Sequence, residues 1–124
     1  DSITGAINNL MLIEHFMKAE THHTLRFGFD SAELQPDEVN RLEALVDELN
    51  QRQVVSVEII GYADDIGSDA YNLQLSEERA KHVAVFLLSR SIEVNQVHIQ
   101  GMGAITEGDR ADNRRVDIRI RIRE

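Results

Sequence analysis

The sequence predicts an α/β fold, a two-layer sandwich in which a mixed sheet with the order β-α-β-α-β-β carries its helices on one face. Residues 54–62 are rich in β-branched side chains, as strands are. Residues 116–122 alternate between Val or Ile and a charged residue, which is typical of a strand with one buried and one exposed face. Two stretches between the strand-like segments repeat apolar residues at helical spacing. Together these three observations predict the order and the layering.

An apolar stripe precedes the predicted sheet. Over about residues 3–19, apolar side chains recur every three or four positions and predict an amphipathic helix: Ile3, Ala6, Ile7, Leu10, Ile13 and Met17. We assign residues 1–22 to this N-terminal amphipathic helix or connector and residues 23–124 to the folded domain. Two roles stay open for the helix. It packs on the domain or links it to an upstream part, or its apolar face forms an oligomer contact.

The first half of the domain is predicted as strand, helix, strand. Residues 24–29 form the first strand, and Asp30 begins a loop. A helix starts at Pro36, because proline suits the first turn of a helix, and continues to about Asn50. In the strand at 54–62, the alternation places three β-branched residues on one face: Val55, Val57 and Ile59.

The second half is predicted as helix, strand, strand. The polar loop 63–69 leads into a helix over about residues 70–90, and Ser76 is predicted to cap its main part because two glutamates follow it. Strands are predicted over residues 97–102 and from Val116 onward. The charged alternate positions of the last strand indicate that the face of the sheet away from the helices is exposed to solvent.

Composition narrows the function classes. The 124 residues, 42% of them hydrophobic, suffice for one domain with its own core. The absence of cysteine excludes disulfides and thiolate metal sites. A formal net charge of −9 argues against a general nucleic-acid binder, since such proteins neutralise phosphates with a basic surface. No apolar run approaches the ~20 residues of a membrane-spanning helix, so the sequence predicts no such helix.

The sequence also lacks the signatures of a catalytic or metal-binding site. Asp64 and Asp65 are adjacent carboxylates, but neighbouring side chains in a turn usually diverge, and no base, nucleophile or oxyanion element accompanies them. We therefore predict no enzymatic activity, no metal and no cofactor. The histidines show no close helical pair with a carboxylate at metal-ligand spacing: His15, His22, His23, His82 and His98.

Asp64 and Arg79 form the chemically most informative pair. Asp64 follows the predicted second strand, and Arg79 lies about two turns into the next helix, so that its guanidinium can reach back over the loop of Asp64. A carboxylate accepts an ammonium, and a planar guanidinium binds a carboxylate in a bidentate manner. The pair therefore suits a zwitterionic ligand. Two structural alternatives stay open: Asp64 satisfies backbone amides of its turn, and Arg79 forms an ion pair with Asp64 or Asp30.

Four separated motifs carry a family resemblance. They are residues 27–34 (FGFDSAEL), 61–68 (GYADDIGS), 71–80 (YNLQLSEERA) and 113–118 (NRRVDI). In order and spacing they resemble the motifs of OmpA C-terminal-like domains, the peptidoglycan-binding modules of Gram-negative envelope proteins. The coincidence of four motifs is far more specific than any one of them alone. The resemblance covers roughly residues 24–123.

The resemblance implies noncovalent binding of peptidoglycan through the diaminopimelate of its stem peptide, which would anchor a larger envelope protein to the cell wall in the periplasm. In the family pattern, the positions of Asp64 and Arg79 hold the free amino-acid end of diaminopimelate. Asn72 and Asp30 match pocket positions, and Arg114 would supply a second positive charge near the ligand carboxylate. An export signal or membrane anchor is expected upstream. The sequence leaves open whether the full-length parent is a barrel, a lipoprotein or a motor stator.

Two departures from the family pattern keep a second function open. Ala63 stands where the family usually has Thr before the motif Asp, which removes one hydroxyl contact. The segment 104–112 lacks the usual Glu-x-x-Pro, which leaves the loop shape near Arg114 undetermined. The alternative is an OmpA-like protein-interaction or assembly module with weak or lost peptidoglycan binding.

Overall fold

A computed structural model describes residues 19–123. The predicted fold class is confirmed: strands and helices follow in the order β-α-β-α-β-β, with one additional short helix before the last strand. Residues 1–18, which carry nearly all of the predicted N-terminal amphipathic helix, lie outside the described part of the chain. That helix therefore stays a prediction. The elements are β1 (Ala19–Arg26), α1 (Pro36–Leu49), β2 (Gln53–Ala63), α2 (Asp69–Leu88), β3 (Val94–Ala104), α3 (Arg110–Asn113) and β4 (Arg115–Arg123).

The four strands form one mixed sheet in the order β1-β4-β2-β3. β2 and β3 are parallel, and β4 runs antiparallel to both of its neighbours, β1 and β2. As a result, the carboxyl ends of β1, β2 and β3 lie at the same edge of the sheet as the start of β4. The loops that leave this edge bring together motifs that are distant in the sequence.

The core lies on one face of the sheet. The alternation predicted for β4 is confirmed, because its four apolar residues are buried while Arg119 and Arg121 on the other face are exposed. Both long helices contribute to the same core, which confirms that they share a face. Its most deeply buried members include Leu42, Leu49, Ile59, Val83, Leu87, Val116, Ile118 and Ile120. Within residues 19–123, neither long helix has the length and hydropathy required to cross a membrane.

The start of β1 and the inner face of β2 differ from prediction. β1 begins at Ala19, five residues before the predicted start, because it is an edge strand whose polar alternate residues give only a weak sequence signal. In β2, Val54 and Val57 are buried and Val55 is only half-buried. The ladder with β4 shifts register between Val54 and Ser56, so that this irregularity moves Val55 off the inner face.

The predicted cap at Ser76 is wrong. The N-cap of α2 is Ser68, whose Oγ accepts a hydrogen bond of 3.2 Å from the amide of Tyr71. Ser76 lies inside the helix and is completely buried. Its hydroxyl donates to the carbonyl of Leu73 (2.7 Å) and accepts from the amide of Gly103 (2.8 Å). A serine followed by two glutamates resembles a helix start, but this one instead joins α2 to β3.

Two glycines allow α2 to approach the sheet closely. Gly61 of β2 and Gly101 of β3 are partners in the parallel ladder. A Cβ at Gly61 would lie 2.0 Å from the carbonyl oxygen of Ser76, and one at Gly101 would lie 2.5 Å from the amide nitrogen of Glu77. Only glycine fits at these two positions. This contact holds α2, with Asn72 in its first turn and Arg79 near its middle, against the carboxyl ends of β2 and β3.

Candidate functional site

The candidate site lies where β1, β2 and β3 end and β4 begins. Asp64 follows β2 directly and is 5% exposed. Its Oδ1 accepts a hydrogen bond of 3.0 Å from the amide of Ile66, and its Oδ2 lies 3.3 Å from Nη1 of Arg114. One oxygen therefore shapes the turn, as the structural alternative predicted. The other oxygen is paired with a cation across the site.

Arg79 is completely buried and donates to three backbone carbonyls. Its Nε contacts the oxygen of Ser31 (2.8 Å), Nη1 that of Tyr62 (2.9 Å) and Nη2 that of Gly28 (3.2 Å). Its guanidinium carbon also lies 5.4 Å from the centre of the Phe27 ring. These contacts tie α2 to the end of β2 and to the loop after β1. A guanidinium carries five N–H groups, so two of those of Arg79 are not engaged by these three carbonyls.

The ion pair that sequence reasoning considered for Arg79 is not formed. The charged partner of Asp64 is Arg114, and Asp30 bonds elsewhere. Burial lowers the pKa of Arg79, the negative charge of Asp64 opposes that shift, and the positive charge of Arg114 adds to it. The structure thus concentrates two guanidinium groups and one carboxylate in a space largely closed to water, where charges interact strongly.

Arg114 is the more accessible of the two arginines. Its side chain is 21% exposed, and its Nε donates to the carbonyl of Phe27 at 3.2 Å. Arg115, which sequence analysis does not place in the site, belongs to the open face of the sheet. It stacks over the Tyr62 ring at 4.5 Å and pairs with Asp117 at 3.1 Å. Of the two consecutive arginines, only Arg114 therefore contacts Asp64.

Asn72 is buried beside the site, with an unused donor. It is 1% exposed, and its Nδ2 has no hydrogen-bond partner within residues 19–123. A buried donor without a partner is unfavourable by about 1 to 3 kcal/mol. Such groups are rare unless a ligand or ion satisfies them. This amide is therefore available to an acceptor atom of a bound molecule.

Asp30 lies at the outer edge of the site. It adopts a left-handed backbone conformation with φ of 53°, which aspartate tolerates better than most residues. Its carboxylate accepts a hydrogen bond from the Tyr71 hydroxyl, and this bond raises the pKa of Tyr71. The carbonyls of Gly28 and Ser31, on either side of it, bind Arg79. Asp30 thus borders the site without touching Arg79 through its carboxylate.

Four residues that sequence analysis did not assign to the site hold its loops together. Asp65 Oδ1 and Arg110 Nε form an exposed ion pair at 2.7 Å, which lowers the pKa of Asp65 and raises that of Arg110. The buried Asn113 amide donates to the carbonyls of Ile105 and Glu107. In the segment 104–112, whose shape the sequence left open, the carboxylate of Asp109 caps α3. An aspartate directly before a short polar segment is the sequence feature that could have predicted this helix start.

Metal ligands are not assembled in this region. Among residues 19–123, no three His, Asp or Glu side chains are arranged to hold a metal ion. The arrangement instead offers one carboxylate, two guanidinium groups and one free amide donor. These groups suit a ligand that carries both an ammonium and a carboxylate.

Comparison with known proteins gives one family. The model of the OmpA family matches residues 26–121. Outer membrane protein A of Bordetella avium is 34% identical, with 76% of this chain and 52% of the relative covered. Peptidoglycan-binding protein ArfA of Mycobacterium tuberculosis is also 34% identical, with 86% of this chain and 35% of the relative covered. The chain thus spans about half or less of the length of these curated relatives.

Solved structures show the same fold. The peptidoglycan-associated lipoprotein from Burkholderia pseudomallei has a TM-score of 0.63 and 26% identity, with 82% of this chain and 89% of that chain covered. The periplasmic domain of Helicobacter pylori MotB (residues 78–256) has a TM-score of 0.64 and 20% identity, with coverages of 83% and 76%. At that lower identity the similarity to MotB concerns the fold alone.

Proposed function

The chain belongs to the OmpA family, and on that premise we propose that it binds peptidoglycan noncovalently through the diaminopimelate of the stem peptide. The bound wall then anchors a larger envelope protein in the periplasm. Two of the similar proteins carry names that refer to peptidoglycan. The observation that carries the proposal is the buried Asp64–Arg114 pair, with Arg79 beside it and an unused Asn72 donor.

The site matches the free end of diaminopimelate, which bears an ammonium and a carboxylate on one carbon. The ammonium binds Asp64 Oδ2, where it replaces the Arg114 guanidinium now 3.3 Å away. Arg114 is then free to turn towards the ligand carboxylate. This exchange keeps each buried charge paired, which matters because an unpaired buried charge is strongly unfavourable.

Arg79 and Asn72 complete the binding of the carboxylate. The two N–H groups of Arg79 that no carbonyl takes, and the free Nδ2 of Asn72, are the remaining donors at the site. Because Arg79 is completely buried, the ligand reaches it only when the loop around Gly28 and Ser31 moves. We propose binding alone, without catalysis.

Binding to purified sacculi tests the proposal. We expect the protein to sediment with sacculi. Free diaminopimelate should compete for the site and release the protein from the sacculi. Retention that diaminopimelate does not affect would contradict the stem-peptide mechanism. Failure to sediment would favour the alternative of an interaction or assembly module, which Ala63 keeps open because it offers no hydroxyl. Release of soluble muropeptides would indicate a hydrolase.

We expect the protein to prefer diaminopimelate-type walls to lysine-type walls. A lysine side chain offers the ammonium for Asp64 but leaves Arg79 and Arg114 without a carboxylate. Donors that lose water and gain no partner weaken binding, typically by about 1 to 3 kcal/mol. Parallel pull-downs with both wall types measure the preference, and high salt should weaken binding because the contacts are ionic. Equal retention on both walls would exclude the zwitterion mechanism.

Arg79→Lys is expected to weaken both binding and folding. Lysine keeps the charge but cannot reach three carbonyls in one plane, so that the free energy of unfolding should fall by about 1 to 3 kcal/mol. Binding of the stem peptide should weaken about tenfold or more, because the bidentate geometry is lost. Calorimetry and urea denaturation measure the two effects. Arg119→Lys, at an exposed arginine of the open sheet face, is the matched control and should change neither. If Arg79→Lys bound as tightly as the wild type, Arg79 would contribute only its positive charge to binding and not its bidentate geometry.

A further inference from the structure

Three exposed apolar side chains border the charged site. Phe29 is 59% exposed, Tyr71 47% and Ile66 44%. Each is next to a residue that builds the site: Phe29 follows Gly28, a partner of Arg79, the amide of Ile66 bonds Asp64, and Tyr71 precedes Asn72 in α2. We call Phe29, Ile66 and Tyr71 the apolar rim.

Contacts of Tyr71 connect the two loops that carry Phe29 and Ile66. The hydroxyl of Tyr71 donates to Asp30, the neighbour of Phe29. On the other side of Tyr71, a Cβ built at Gly67 would lie 3.8 Å from its ring and 3.8 Å from Asn72 Oδ1, so the backbone next to Ile66 lies against both residues. The three rim residues therefore lie on segments that meet at Tyr71: the loop after β1, the start of α2 and the loop after β2.

Position distinguishes the rim from other exposed apolar residues of the domain. Single exposed hydrophobic side chains are ordinary on protein surfaces, but a group of them beside convergent polar groups is typical of a ligand site. Several others lie on α2 or β3, where no charged site adjoins them: Val85, Leu88, Val97 and Ile99. Leu73 is also exposed and follows Asn72, but it lies against Gly103 at the end of β3. The three rim residues combine apolar surface with the paired charges of Asp64 and Arg114.

We propose that the apolar rim is a second subsite, which contacts apolar groups of the stem residues that adjoin the diaminopimelate. The inference rests on the proposed function. The methylene chain of a diaminopimelate bound at Asp64 leads to the adjoining stem residues, and these residues are the part of the peptide that we place against the rim. Contact with three apolar side chains stabilises those groups by removing apolar surface from water. The protein should therefore bind a stem tripeptide more tightly than free diaminopimelate.

Calorimetry with two ligands tests the subsite. Free meso-diaminopimelate and a stem tripeptide ending in diaminopimelate are titrated into the wild type and into Phe29→Ser. We expect Phe29→Ser to bind the tripeptide about tenfold more weakly, because the substitution removes the phenyl ring whose apolar face would be buried against the peptide. Its affinity for free diaminopimelate should change by less than about twofold, since the charged contacts remain. Val85→Ser, at a residue 58% exposed on α2, is the matched control and should alter neither affinity.

Variants of Tyr71 separate the ring from its hydroxyl. Tyr71→Phe keeps the apolar surface and removes the bond to Asp30, so the tripeptide preference should persist, whereas Tyr71→Ser should reduce it. Equal losses for both ligands in Phe29→Ser would show that the rim only shapes the charged pocket, and unchanged affinities would show no contact; either result overturns the subsite. Wild-type protein that binds neither ligand would contradict the proposed function itself, and the subsite with it.

Discussion

Gly61→Ala is expected to lower the free energy of unfolding by about 3 kcal/mol or more, which is a large part of the stability of a domain of this size. The added methyl would lie 2.0 Å from the carbonyl oxygen of Ser76, 3.0 Å from its carbonyl carbon and 3.1 Å from the amide nitrogen of Ala80. All three are backbone atoms of α2, so relief requires the whole helix to move away from the sheet. Urea denaturation followed by circular dichroism measures the loss.

A matched glycine replacement provides the control. At Gly28, the nearest heavy atom to an added Cβ is Cβ of Ser31 at 4.0 Å, so that Gly28→Ala should unfold close to the wild-type midpoint. Gly101→Ala should resemble Gly61→Ala, since its Cβ would lie 2.5 Å from the amide nitrogen of Glu77. If Gly61→Ala kept the wild-type midpoint, the close packing of α2 on β2 and β3 would be wrong.

Asp64→Asn is expected to abolish most binding to the stem peptide. The substitution keeps the shape and leaves an oxygen for the amide of Ile66, but it removes the charge that we propose receives the ligand ammonium. Loss of a charge-assisted contact in a buried site typically costs about 2 to 5 kcal/mol, equivalent to at least ~30-fold in affinity. Calorimetry with the stem peptide measures this, and a thermal melt checks that the variant is folded.

The neighbouring carboxylate serves as the control for Asp64. Asp65 pairs with Arg110 on the surface of the same loop, and its side chain is 31% exposed. Asp65→Asn therefore removes the same charge one position away without touching the buried pair, and it should bind nearly as well as the wild type. Similar losses in the two variants would point to a general effect of loop charge, and full binding by folded Asp64→Asn would exclude its assigned role.

The sequence alone determined the order of the elements and the positions at which the site is built. The period-two alternation of β4 and the helical stripe beginning at Pro36 follow from local chain geometry, which repeats within a few residues. The four motifs likewise placed Asp64 directly after a strand, Asn72 at the start of the next helix and Arg79 about two turns further along that helix. The structure brings these residues to one edge of the sheet, beside Arg114, while their roles in ligand binding stay a proposal.

Tertiary structure alone decided which of these groups touch. Asp64 and Arg114 are 50 positions apart, and Arg79 and Ser31 are 48 apart, so that only strand order and helix placement select these partners. Sequence analysis considered an ion pair of Arg79 with Asp64 or Asp30 as one alternative. In the fold, Arg79 donates to three carbonyls, and Arg114 is the charged partner of Asp64. The close approach of α2 is equally nonlocal. Glycine is required at Gly61 and Gly101 only because the backbone of α2, a separate element, packs directly against them.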